Sequence, residues 1–157
     1  MAEYAELAGT ASVESRWRRF LGWILLFTHV GIVAELLLLE HFETVWQAIP
    51  VVLLGIGTIV FAVAMFRPRR FVLQAVRLLM LLYVISGALG VWLHYDSNVE
   101  FEKEMKPALT GWQLFVDAIA GAVPTLSPGT MAQIGLLGLL YTFAHPALQR
   151  RRPAGDR

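Results

Sequence analysis

A chain that reads FLGWILLFTHVGIVAELLLLEHFE from Phe20 to Glu43 has few folds open to it. About 20 predominantly apolar residues cross the ~30 Å hydrocarbon layer of a bilayer as a single helix. This run is long enough, yet it carries His29 near its middle and Glu35 a turn and a half later. An ionisable group at that depth costs roughly 2.5 kcal/mol or more, so it needs a partner, a proton or water. The rest of the chain must supply the shelter, and 57% hydrophobic side chains over 157 residues is a membrane composition rather than that of a soluble domain.

Three further apolar segments follow. The second span covers residues 48–66, with Pro50 suited to a helix start where its missing N–H is not needed. It stops at Arg67-Pro68-Arg69-Arg70, a charged turn with a helix breaker. The third covers 72–95, with Gln74 and Arg77 near its charged end, from which Arg77 can snorkel to the headgroups. The fourth covers 127–145, opening on Ser127 as N-cap and Pro128 as first helical residue. The first span is residues 20–40. It follows an arm, residues 1–19, whose Arg16-Trp17-Arg18-Arg19 patch reads as an interfacial anchor. That arm does not read as a signal peptide, because its charges are mixed and the following apolar run is full length without a small-residue cleavage site.

The fold class expected is therefore an all-α integral membrane protein. Four transmembrane helices form one bundle within a domain of residues 20–148, with a basic tail at 149–157. Residues 96–126 make the only long connection. Its first part is acidic, and residues 108–123 place Leu109, Trp112, Phe115, Val116, Ile119 and Val123 at helical spacing. Sixteen residues with Asp117 inside are short for a crossing, so an extra interfacial helix is expected there.

Charge sets the orientation. Arg16, Arg18 and Arg19 precede span one; Arg67, Arg69, Arg70 and Arg77 lie between spans two and three; Arg150, Arg151, Arg152 and Arg157 follow span four. Eleven of the thirteen basic residues thus fall on one side, and only Lys103 and Lys106 on the other. The positive-inside rule places both termini in the cytoplasm, in a membrane of the bacterial inner type. The arginine clusters flank spans, so lipid headgroups explain them and nucleic acid does not.

Small residues mark where helices can touch. Tyr83, Gly87, Gly90 and His94 form one stripe of span three, and Gly135, Gly138, Thr142 and His145 a comparable stripe of span four. Within span one, His29 and Glu35 lie about 120° apart and roughly 9 Å along the axis, so they are not a direct pair. His29 is expected to make a structural hydrogen bond to another helix, and Glu35 to face the bundle interior against a polar group of another span or an internal water. A divalent-metal site would draw His41, His94, Asp96 and Glu100 from the rim, since imidazole with carboxylates suits zinc-like ions. No spacing there matches a defined motif. Haem needs two axial ligands at similar depth on different helices. His29, His94 and His145 differ in depth, while His41 and His94 sit at a wet rim beside acids, so haem is disfavoured. Cysteine is absent, which removes thiolate metal sites and cysteine nucleophiles.

Nucleophile motifs and phosphate-cradling loops are absent too. The function expected is a non-enzymatic multi-pass membrane protein, a small accessory subunit packed against other membrane proteins or against copies of itself. The connection is its main recognition surface, through Glu100, Glu102, Glu104, Trp112 and Phe115. Two alternatives stand beside it. One is a transporter or channel for protons, metal ions or a small solute, using Glu35 and His29 with the acidic rim as entrance. The other is a membrane enzyme with a His/Glu metal site.

Overall fold

The computed structural model describes the backbone of residues 2–149 and the side chains of residues 13–149. The basic tail expected at 149–157 therefore lies, from residue 150 onward, outside the described residues. Among the described residues the structure is helical, without strands: α1 (Ala2–Leu38), α2 (Val45–Phe66), α3 (Arg70–Met105), α4 (Gly111–Ile119) and α5 (Gly129–Thr142), with a short 3-10 turn at Pro146–Leu148. Three of them, α1, α2 and α3, are long and apolar enough to cross a membrane. The fourth expected crossing is not shown: α5 has 14 residues and so a length of only about 21 Å.

Several boundaries depart from the sequence reading. The arm and the first span are one uninterrupted helix of 37 residues, because nothing between Ala2 and Leu38 is a proline or a stop signal. Helix α2 begins three residues early. Thr44 caps it, its hydroxyl accepting from the Gln47 N–H while the Gln47 side chain accepts from the Thr44 N–H. Pro50 therefore sits inside the helix rather than at its start. It removes only the N–H that would have bonded the Trp46 carbonyl. Helix α3 runs 36 residues, so the acidic stretch Asp96–Glu104 is helix and not loop. Helix α4 is nine residues rather than sixteen, opening on Gly111 at φ +60°, which glycine adopts without steric penalty. The Ser127-Pro128 cap gives way to a tight entry, in which the N–H groups of Ser127, Gly129, Thr130 and Met131 each bond the carbonyl three residues back.

The chain divides into two compact units, one of the residues through Leu79 together with those from Leu137 onward, the other Met80–Leu136. In the first unit α1 packs on α2. Leu25, Leu54, Phe61, Leu73, Val76 and Tyr141 are buried, and Gly22 leaves space that Tyr141 and Met65 fill. In the second unit the first half of α5 lies on α3 along the small-residue seam. A Cβ on Gly87 would stand 2.6 Å from the Ala132 backbone nitrogen, one on Gly90 2.6 Å from Pro128 Cβ, and one on Gly135 2.6 Å from the Met80 carbonyl oxygen. Backbones at that distance tolerate only glycine.

Candidate recognition surfaces

One side chain makes four of the contacts that hold the connection between α3 and α5. Asn98 lies one turn beyond His94 on α3 and is fully buried. Its Nδ2 faces the carbonyls of Ala118 (2.9 Å) and Val123 (2.7 Å) and the hydroxyl of Thr125 (3.0 Å), and its Oδ1 accepts from the Val123 N–H (3.0 Å). An amide has only two N–H donors, so one of the three contacts is shared. Thr125 also donates to the Ala118 carbonyl at 3.2 Å. His94 adds a bond from Nδ1–H to the Pro124 carbonyl at 2.9 Å; the proton is assigned to Nδ1 because a carbonyl can only accept. Together these groups satisfy the N–H and carbonyl of Val123 and the carbonyl of Pro124 in the turn after α4.

On the solvent side of the same connection, Lys106 Nζ donates to Glu102 Oε2 and Asp117 Oδ2, both at 3.1 Å, and Gln113 donates to Asp117 at 2.8 Å. The two carboxylates raise the Lys106 pKa above its ordinary value, chiefly through the hydrogen bond to Glu102 and then that to Asp117. This ties α4 to the end of α3. The opposite face of α4 is apolar and exposed, Trp112 by 75%. Trp112 stacks on Phe115 at 5.1 Å, Phe115 meets Tyr95 at 5.9 Å, and Tyr95 meets Trp92 at 6.2 Å. Trp92, Tyr95 and Phe115 of this row line an open groove of about 590 Å³ together with Ala88, Val91, Ile119, Thr125 and Leu126. A row of Trp, Tyr and Phe at the end of an apolar run is the pattern of a membrane–water boundary.

The expected recognition residues thus fall in different surroundings. Glu100 and Glu104 are exposed, Glu102 is half-buried against Lys106, and Trp112 and Phe115 stand on the apolar face. For the proposed metal set, Asp96 and Glu100 are exposed, His41 and His94 are half-buried, and His94 commits Nδ1 to Pro124. Among the described residues no three His, Asp or Glu side chains gather as ligands, so His41, His94, Asp96 and Glu100 are not assembled into such a site.

The two polar residues of the first span part company. His29 is fully buried, its Nδ1–H donating to the Leu25 carbonyl at 2.7 Å and its ring stacked on Phe61 at 5.5 Å. Glu35 is exposed on α1, and no hydrogen bond or ion pair of its side chain is formed among the described residues. The expectation that Glu35 faces inward is corrected here. The helical turn that puts Leu25 and His29 against α2 carries Glu35 round to the outside. Its neighbours on that outer stripe are Ile24, Phe27, Gly31, Ala34 and Leu38, all exposed.

Sequence reasoning also missed the closing of α5. The carbonyls at its end, beyond the reach of its own helical bonds, meet two arginines. Arg18 of α1 donates to the carbonyls of Tyr141 (3.3 Å) and Phe143 (3.2 Å) and pairs with Glu14. Arg77 of α3 donates to the carbonyl (3.0 Å) and hydroxyl (3.2 Å) of Thr142. Arg77 thus neither snorkels nor pairs with an acid; it caps a helix end where positive charge is favoured. The absence of any basic residue in the last turn of α5 was the available signal. For Asn98 the signal was its place as the next step of the stripe Tyr83, Gly87, Gly90, His94. No protein-family model matches this chain, nor does any curated protein or solved structure.

Proposed function

We propose that this chain is a non-enzymatic accessory subunit of a membrane assembly, packed sideways against another membrane protein through the outer face of α1. The observation that carries this reading is Glu35. A carboxyl group about 4.5 Å inside the end of an apolar helix costs free energy against lipid, and among the described residues no hydrogen bond or ion pair of the Glu35 side chain offsets that cost. The transport alternative has less to support it, because His29 is enclosed while Glu35 is on the surface.

The proposed topology keeps four crossings, both termini cytoplasmic, and α4 lying in the opposite interface on its aromatic face. The arginine caps support it. Arg18, Arg77 and the Tyr141–Phe143 carbonyls meet at one place, which supports reading α3 as a crossing outward and α5 as the crossing back. Pro128, Gly129 and the tight entry turn extend its short helix.

The test is site-specific photocrosslinking in native membranes from Phe27, Ala34 and Leu38 on the α1 stripe, with Ile59 of α2 as an exposed control. The expected result is a protein adduct of one discrete mass from the α1 positions and lipid adducts alone from Ile59. Lipid adducts at all four positions would overturn the subunit reading. Topology is tested separately: single cysteines at Glu43 and Glu102 should react with an impermeant thiol reagent from outside, and one at Arg69 should not.

A further inference from the structure

Resting on the subunit reading, we infer that the outer face of α1 receives a partner transmembrane helix that carries a lysine or arginine at the depth of Glu35. Three features of the face argue for it. Ile24, Phe27, Gly31, Ala34, Glu35 and Leu38 fall within about 120° of one another around the helix, the width of a helix-packing stripe. At its centre a Cβ on Gly31 would meet nothing within 4 Å. A glycine there costs the helix about 1 kcal/mol relative to alanine, and no neighbour among the described residues needs the room, in contrast to Gly87, Gly90 and Gly135. A glycine flanked by Phe27 and Leu38 admits a second backbone closely.

Charge then selects the occupant. One turn from Gly31 stands the Glu35 carboxyl, which a helix closing over the stripe would seal from water. A carboxylate in that setting calls for a cationic donor on the incoming helix. A second copy of this chain does not supply one. Neither lysine nor arginine occurs in residues 20–66, 78–102 or 107–149, so no copy presents a cation at that depth, and a symmetric contact would set two carboxyl groups face to face. Lipid chains offer no donor at all.

The experiment uses the full chain in phospholipid vesicles and synthetic transmembrane helices of leucine and alanine. The helices are identical except for one lysine, one leucine or one glutamate at the matching depth. Energy transfer is read between a dye on a cysteine placed at Glu43, the chain having no cysteine of its own, and a dye on the peptide. The lysine helix should associate about tenfold more tightly than the leucine helix. The preference should vanish in Glu35→Leu, and Gly31→Leu should weaken both helices. Equal association of the lysine and leucine helices, or a preference that survives Glu35→Leu, overturns the inference. So does transfer between two labelled copies that an excess of the lysine helix fails to compete away. Protein adducts at Phe27, Ala34 and Leu38 without a lysine preference overturn this inference and leave the subunit reading standing. A lysine preference without adducts in native membranes overturns the subunit reading and leaves the chemistry of the face.

Discussion

Replacing Asn98 with alanine should open the connection between α3 and α5 while leaving the long helices intact. The native amide satisfies the Val123 N–H and C=O directly, and it shares the Ala118 carbonyl with Thr125. Removing it leaves Ala118 with the threonine hydroxyl but strips both backbone groups of Val123. An uncovered buried polar group costs about 1–3 kcal/mol. Val123 is half-buried, so water recovers part of that loss, and the low end applies to each of the two groups. The local cost is then about 2–3 kcal/mol, which corresponds to a change of about 30- to 150-fold in an opening equilibrium. Amide hydrogen exchange on the chain in nanodiscs, resolved by peptide, should show residues 118–126 exchanging faster by that factor, with α2 unchanged. Asn98→Asp tests the donors alone, since a carboxylate of the same shape turns acceptors toward two carbonyls, and it should be at least as damaging. Gly121→Ala attacks the same staple from the other side, because its Cβ would stand 2.6 Å from Asn98 Cγ. Unchanged protection of residues 118–126 in Asn98→Ala would refute the reasoning.

Gly87→Ala should cost about 1–3 kcal/mol in denaturation of the purified protein, because the new carbon meets the Ala132 backbone at 2.6 Å. Gly31→Ala, with nothing in its way, should be neutral or stabilising by up to about 1 kcal/mol. Arg77→Met should lower thermal stability by about 1–2 kcal/mol through the uncapped end of α5, and Arg77→Lys should recover only part, since a single ammonium does not reproduce the guanidinium's fork. Lys106 gains its partners in the folded state, so its folded pKa is raised and its pairing is fully present below the ordinary lysine value of about 10.4, disappearing as pH rises through the folded one. Fluorescence of a variant keeping Trp112 as its sole tryptophan should hence stay constant from about pH 6 to 9 and change only above about pH 10.

The apolar bodies of the first three spans were legible because hydrophobic length is a strong signal that local detail does not override. Their ends were not. Residues 96–105 are charged, and charge was read as loop, yet Glu, Lys and Met are good helix formers and nothing between Tyr95 and Met105 breaks a helix. Pro50 misled in the opposite way, drawing the start of α2 to itself when Thr44 and Gln47 offered the better cap. The small-residue seam was readable from spacing alone, since close approach of backbones demands glycine at fixed intervals. Asn98 reads in the sequence as one more polar residue at a rim, although it continues the stripe Tyr83, Gly87, Gly90, His94. Its importance depends on a turn 20–27 residues away, which a stripe on one helix does not display.

Glu35 shows where the reasoning about membrane polar groups needs its premise examined. An ionisable residue turns inward if the chain is the whole of its own environment, because the interior is then the only place with donors. In this chain the buried face of α1 is already taken by Leu25 and His29, with His29 bonded within its own helix and stacked on Phe61. The helical repeat leaves Glu35 outside, on the same stripe as a glycine whose added Cβ would meet none of the described residues. An inward rule and an outward residue agree once the interior is that of an assembly larger than one chain. A polar group that violates the rule for the monomer is then the residue that marks the contact, and Glu35→Gln separates the two halves of that statement. Glutamine keeps a hydrogen-bonding group at the seam while losing the charge. Assembly with a lysine-bearing helix should therefore persist in part, its strength falling toward that of the neutral leucine helix without reaching it, as measured by the same energy transfer. A glutamine variant indistinguishable from the native chain would show that packing around Gly31, and not the carboxylate, selects the partner.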